Sequence, residues 1–491
     1  MEPAVRLSLR DRHFRTRILK PILRAYALGY LSSVTPKLVT YVRRVRSQDW
    51  SIRQKLQELA RVLAGPLRGN SFATFCAALV GGSTLFPVLL YRIYALIVFG
   101  QSQGNVQVSQ GLNRLVRFVT AFLSAWLSFG LLNKGRTLSR QDARARGLSL
   151  GKGSREKELL HPLERPPHPD LVGRTMDLTI FTATRAVDAL ACMAWSRWVR
   201  RRKAQNRWTV AEAYAPGLAD AGVFAMSAAV VMWAWFYLPE RLPRTYEKWI
   251  GEVAQVDSRL IEALRRARRG IFVYGKDTGQ APLLESMCRD FGWPEEWGDP
   301  AKTAPIPCEM VHMGCGPNCE VHAVSRFART FKIACATYIP LQIVLRLRKM
   351  KDPAVLRRAV SEGAQSSAFL ATFVSLFYYA VCLARTRIGP KVFDQKTVTP
   401  LMWDSGLCVG AGCLMCGWSV LVEQARKRQE LALFVAPRAA ATVLPRLYEE
   451  KYQYRERIAF AVSAAMLLTT LREKPSLVRG VFGRITTSVL N

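Results

Sequence analysis

AGVFAMSAAVVMWAWFYL, residues Ala221 to Leu238, runs for eighteen residues without a charge. At about 1.5 Å of rise per residue, a helix of this length approaches the roughly 30 Å hydrocarbon core of a bilayer. Gly69 to Tyr91, Gly363 to Ala384 and Ser405 to Val422 are equally free of charge. A soluble helical protein buries one or two such helices at its centre, whereas four in one chain read as membrane spans. Shorter or interrupted runs add candidates at Phe118 to Asn133, Met176 to Trp198, Ile333 to Leu345, Leu431 to Leu444 and Ile458 to Leu471. The fold class that follows is all-α, a polytopic helical membrane protein.

Half of the 491 residues are hydrophobic, yet the formal net charge is +35. Such a charge would suit nucleic acid if the basic residues gathered on one face or tail. Here they lie between apolar runs, so the expected partner is a lipid bilayer, with anionic lipids at its surface, and not nucleic acid. Basic residues flank nearly every run, so the positive-inside rule assigns no orientation. The eleven cysteines are an odd number, and most lie in apolar stretches such as GLCVGAGCLMCGW, Gly406 to Trp418. No secretory signal opens the chain, and no disulfide framework is expected. The Arg-rich residues 1–13 suit a helix lying on a membrane surface.

The chain also repeats itself. LTIFTATRAVDAL, Leu178 to Leu190, aligns without a gap on LALFVAPRAAATV, Leu431 to Val443. FAMSAAVVM from Phe224 matches FAVSAAMLL from Phe460, and SFATF from Ser71 matches FLATF from Phe369, in the same order. Trp126 and Trp418 fall at corresponding places between them, and Tyr30 and Tyr338 mark an earlier matching helix. These matches predict two tandem repeats of four to five helices each, at 14–250 and 324–491. The first carries a flexible, basic insertion at 134–170, rich in Gly, Ser, Pro and charge. Between the repeats, 251–307 reads as a soluble connector and 308–323 as a Cys/His-rich turn.

Within the repeats, charges at matched depth stand out. Arg185 and Arg438 occupy the same position of the two copies, and an Arg in hydrocarbon costs at least ~2.5–3.5 kcal/mol on insertion scales. Asp188 lies one helical turn from Arg185, and Asp177 and Glu430 begin the two helices. The pattern fits an ion pair at a helix interface or the path of a solute. Gly406, Gly410 and Gly417, interleaved with small residues, would let another helix approach closely. No Ser-His-Asp set and no paired acids fall within a span, so no enzymatic chemistry is expected.

CEMVHMGCGPNCEVH, residues 308–322, places Cys308, His312, Cys315, Cys319 and His322 in one short stretch. Its sulfur and nitrogen suffice for zinc, although the spacing is not that of the strong finger patterns. A Gly-Pro-Asn turn also permits a Cys308 to Cys319 disulfide, and a plain structural turn is the third reading.

From this stretch onward, through RFARTFKIACATYIPLQIVLRLRK and SSAFLATFVSLFYYAVCLARTRIG, the sequence resembles the transmembrane protein 135 family. The residues that carry the resemblance are Cys308, His312, Cys319, Tyr338, Pro340, Leu341, Ser367, Phe369 and Leu370, in a module spanning about Cys308 to Gly389. The extra Cys315 and the Gly-Cys-Gly after His312 depart from the family phrase. A full repeat before the module resembles the arrangement of fungal-type members with an extended N-terminal half. The family in turn is distantly similar to the mitochondrial import-channel and small peroxisomal membrane protein superfamily. The resemblance implies a multi-pass protein of a peroxisomal or mitochondrial membrane concerned with solute or lipid transfer or with organelle dynamics. It leaves open a scaffold that recruits other organelle membrane proteins, an oligomer, and, more remotely, a lipid-modifying enzyme.

Overall fold

The computed structural model describes residues 12–47, 51–99, 109–145, 175–347, 352–394, 396–444 and 452–490. Every regular element among them is helical. The first helices are α1 (Arg12–Ser47), α2 (Ile52–Ala64), α3 (Phe72–Phe99), α4 (Gln110–Ala145), α5 (Met176–Ala204) and α6 (Val210–Tyr237). Shorter ones follow as α7 (Arg244–Ala254), α8 (Ser258–Arg268), α9 (Ala281–Phe291) and α10 (Cys308–His312). Then come α11 (Cys319–Leu345), α12 (Pro353–Cys382), α13 (Gly389–Val392), α14 (Pro400–Met402) and α15 (Cys408–Cys416). The chain closes with α16 (Ala425–Val443), α17 (Gln453–Glu473) and α18 (Gly480–Leu490). Two π-helical turns, Leu383–Ile388 and Trp403–Leu407, join α12 to α13 and α14 to α15.

Among the described residues five stretches are long and apolar enough to cross a membrane: Ile52–Ile93, Gln110–Asn133, Val210–Tyr237, Pro353–Val392 and Pro400–Val422. All four uncharged runs of the sequence fall inside them except for the terminal Leu238, and Phe118 to Asn133 belongs to the remaining one. The protein is therefore a multi-pass membrane protein by the length and composition of its helices. The other four shorter runs are helical, in α5, α11, α16 and α17 apart from the terminal Leu444, but are not among these five.

The chain divides into two compact units, Met1–Arg207 with Arg446–Asn491, and Trp208–Pro445. In the first unit α3 packs between α1 and α4, and α17 packs between α4 and α5. Phe129 stacks on Phe460 at 4.8 Å at the centre of its core. Helix α4 also turns an apolar stripe outward and small polar residues inward. Leu115, Val119, Leu123, Leu127 and Leu131 recur every four residues and are all exposed, while Thr120, Ser124 and Ser128 are buried. This is the arrangement expected where lipid is the solvent, because apolar side chains gain nothing by leaving it and small polar residues draw helices together. Ser124 Oγ donates to the carbonyls of Leu79 at 2.7 Å and Ala78 at 3.2 Å on α3. Bonds of this kind contribute roughly 0.6 kcal/mol each, up to ~2. Residues 134–145 of the expected insertion continue α4, and 146–170 lie outside the described residues, as do 1–11 of the basic N-terminal segment.

In the second unit α12 packs between α11 and α15, while α6 packs against α15, the 3₁₀ turn Gly417–Val422 and α16. The 251–307 segment forms α8 and α9 around an apolar cluster of Leu260, Phe272, Leu284 and Met287, which Met310 of α10 completes. Its basic helix α8 has a specific task. Arg265 donates to the carbonyls of Trp235, at 3.0 Å, and Phe236, which are orphaned at the C-terminus of α6. Arg268 lies 4.7 Å from the Trp233 ring centroid and 4.9 Å from that of Tyr237.

Candidate functional site

The Cys/His-rich stretch folds as a helix, a left-handed turn and a second helix. Helix α10 ends at Met313, whose φ of 50° is followed by Gly314 at 82° and Gly316 at 79°. Glycine occupies the two positions of that turn where a side chain would be most strained. Asn318 then caps α11, its side chain accepting from the backbone N–H groups of Glu320 and Val321.

This geometry brings Cys308, His312 and Cys319 together, with their ligating atoms all within 4.8 Å of one another. His312 is fully buried. Its Nδ1 lies 2.7 Å from the Gly316 carbonyl oxygen and its Nε2 lies 3.4 Å from Cys382 Sγ at the end of α12. The Cys319 thiol neighbours those of Cys308 and Cys382. Cys315 is placed elsewhere, 3.6 Å from Ser325 Oγ. His322 stacks on His312 at 4.3 Å and meets Tyr378 edge-on at 5.1 Å, and its ring nitrogens have no hydrogen-bond partner. Burial, with the neighbouring His312, Arg326 and Arg329, pushes its pKa down to about 3. Cys308 and Cys319, open to disulfide pairing on spacing alone, are free thiols.

Next to this module lies an apolar cavity of about 360 Å³, enclosed by α6, α7, α11, α12 and α16. Its wall includes Phe224, Trp235, Val253, Tyr338, Leu370 and Phe377. Trp249 and Phe434 also line it and are 45% and 59% exposed, so the cavity opens outward between α7 and α16. Tyr378 joins the cavity to the Cys/His module: it lines the former, packs on His322, and donates to the Ala254 carbonyl at 3.0 Å. Arg326 closes the same corner. It is buried, donates to the Gln255 carbonyl at 3.1 Å at the end of α7, and sits 4.5 Å from the Tyr378 ring centroid.

The charges singled out from the sequence occupy distinct surroundings. Arg185 is buried with its guanidinium near the rings of Phe181 and Phe482, at 5.3 and 5.5 Å. Asp188 forms an ion pair with Arg479. Asp177 is exposed, and Glu430 and Arg438 are half-buried. Burial raises the pKa of the cavity-wall phenol of Tyr246, and the positive charge of Arg438 opposes that shift. Gly417 lies against the α6 backbone, where a Cβ would stand 2.4 Å from Ala225 Cα. At Gly410 a Cβ would meet only Trp233, at 3.6 Å, and at Gly406 it would meet Arg268 and Trp233.

Two functional-looking groups escaped the sequence reading. Cys382 lies in an uncharged run, 70 residues beyond His312. Arg385 and Asp404 form a buried ion pair, and they are the charges that bound two uncharged runs at their facing ends. Opposite charges delimiting consecutive runs were the available signal. Compared with family models, curated proteins and solved structures, the chain matches none.

Proposed function

We propose that this protein holds the acyl chain of a lipid in the cavity of its second unit and hands it on without covalent chemistry, as a non-enzymatic component of a peroxisomal or mitochondrial membrane. The observation that carries the reading is the cavity itself. Its volume of about 360 Å³ falls in the range of roughly 300–1,000 Å³ usual for small-molecule sites. Its wall is aliphatic and aromatic, with polar groups only on its tyrosines and tryptophans, and the Tyr378 hydroxyl is already engaged. Three of the five candidate spans lie in this unit, so the apolar solute at hand is lipid. The resemblance of the Cys308 to Gly389 module points the same way and is what supports the organelle.

The architecture we read behind this is a duplication whose copies exchange their last helix. The sequence pairs α1 with α11, α3 with α12, α4 with α15, α5 with α16, and α6 with α17. Supporting this, the order of neighbours is the same in both units if α6 and α17 trade places. Helix α17 packs beside α4 and α5, and α6 packs beside α15 and α16.

Transfer of fluorescent acyl lipid between vesicles tests the function. Proteoliposomes carrying the protein should accelerate transfer, and Val253→Trp, which fills the cavity, should reduce the rate at least severalfold. Equal rates with and without protein would remove the proposal.

A further inference from the structure

We propose that Cys308, His312, Cys319 and Cys382 together bind one structural zinc ion that fastens the Cys/His module to the end of a membrane span. All four stand at helix ends: Cys308 and His312 open and close α10, Cys319 opens α11, and Cys382 closes α12. On α10 the i and i+4 positions share one face, so Cys308 and His312 project together. The left-handed turn then returns the chain so that Cys319 comes within 4.8 Å of both. Cys382 approaches from the other side, its Sγ 3.4 Å from His312 Nε2 and its thiol neighbouring that of Cys319, so that a small shift of the end of α12 would complete the set.

The state of the imidazole is what makes this a ligand set and not merely a sulfur-rich corner. A carbonyl oxygen can only accept, so the 2.7 Å contact with Gly316 requires the proton on His312 Nδ1. The Nε2 lone pair then faces the Cys382 sulfur. Zinc-binding histidines are oriented in this way, by an outer hydrogen bond from the nitrogen that does not ligate. Three thiolates and one imidazole make a closed tetrahedral site of the structural kind, with no open position for catalysis. Binding releases three thiol protons, leaving a centre of net charge −1 from Zn²⁺ and three thiolates. Because the cysteines come from α10, α11 and α12, the ion would hold the wall of the cavity at Tyr378 and Arg326 in place. Cys315 and His322 take no part.

Elemental analysis of the full-length protein purified in detergent, together with Co²⁺ titration after metal removal, tests this. The expected result is about one zinc per chain in the wild type and in Cys315→Ser, with a severalfold smaller content in Cys382→Ser. Co²⁺ added to metal-stripped wild-type protein should give, at one equivalent, the visible bands of tetrahedral thiolate coordination, a readout that depends on no variant folding. Zinc-free, monodisperse wild-type protein that shows no such bands would overturn the proposal. So would equal zinc in Cys382→Ser and the wild type, or a Cys308 to Cys319 disulfide found by non-reducing peptide mapping.

Discussion

Arg385 and Asp404 face each other inside the second unit, each at the widened backbone of a π-helical turn. Nη2 of the arginine donates to Oδ2 at 2.9 Å and Nε lies 2.9 Å from Oδ1, with the two side chains only 7% and 2% exposed. Tyr274 donates its hydroxyl to the same carboxylate and accepts from the Ile306 N–H at 3.2 Å. The pair thereby joins the ends of two spans to the 251–307 segment. Single π-turns inside helices are frequent at functional sites.

Removing one member of this pair strands the other. Asp404→Ala should destabilise the protein by about 3–5 kcal/mol, because a buried charge is left uncompensated. The double replacement Arg385→Met with Asp404→Leu should recover most of that loss, since an apolar pair needs no partner. Tyr274→Phe should cost about 1.5–3 kcal/mol, the usual contribution of a hydrogen bond to a charged group. Denaturation of the detergent-solubilised variants distinguishes the three; a double variant as unstable as Asp404→Ala would refute the ordering.

The glycines of the 406–417 stretch should behave unequally. Gly417→Ala forces a methyl group against the backbone of α6, 2.4 Å from Ala225 Cα and 2.9 Å from its carbonyl oxygen. Backbone cannot swing aside, so a loss of about 1–3 kcal/mol or more is expected. Gly410→Ala meets only an indole at an ordinary contact distance and should lie near the wild type. Equal thermal stability of the two variants would contradict the close approach.

Acid should act on α8 through its cap. Asp257 accepts from the Arg259 N–H at 2.8 Å, and hydrogen bonding to the Arg259 side chain holds its carboxyl below the usual range against the opposing effect of burial. Its folded pKa is depressed, so the stability it contributes is present above the unfolded value of about 3.9 and is lost as pH falls through the folded one. Asp257→Ala should cost about 0.5–2 kcal/mol at neutral pH through the lost cap. Asp257→Asn keeps a capping oxygen but removes the titration, and should flatten the acid limb measured by hydrogen exchange of α8.

The spans were legible because each is a local property. Absence of charge over the 221–238 run and its three counterparts determines a helix in lipid whatever it packs against, and the structure places all four in candidate spans. Pairing across the chain was not legible. Periodicity shows that Cys382 lies in an apolar helix but not which module its sulfur meets, and the five Cys/His positions of residues 308–322 looked like a self-contained set. Arg385 and Asp404 were visible only as the ends of runs, because hydropathy marks where a span stops without naming the partner of the charge that stops it. Asp188 suggested a helical neighbour in Arg185, while its ion pair with Arg479 spans 291 residues of sequence.

The most direct test of the acyl-chain reading is photolabelling of the purified protein with a fatty acid carrying a diazirine in its chain, followed by mapping of the labelled peptides. The account predicts saturable labelling on α7 and α12 around Val253, Leu370 and Phe377, at least severalfold weaker in Val253→Trp and Leu370→Trp. Label spread evenly over the lipid-facing stripe of α4 and unaffected by either variant would contradict it.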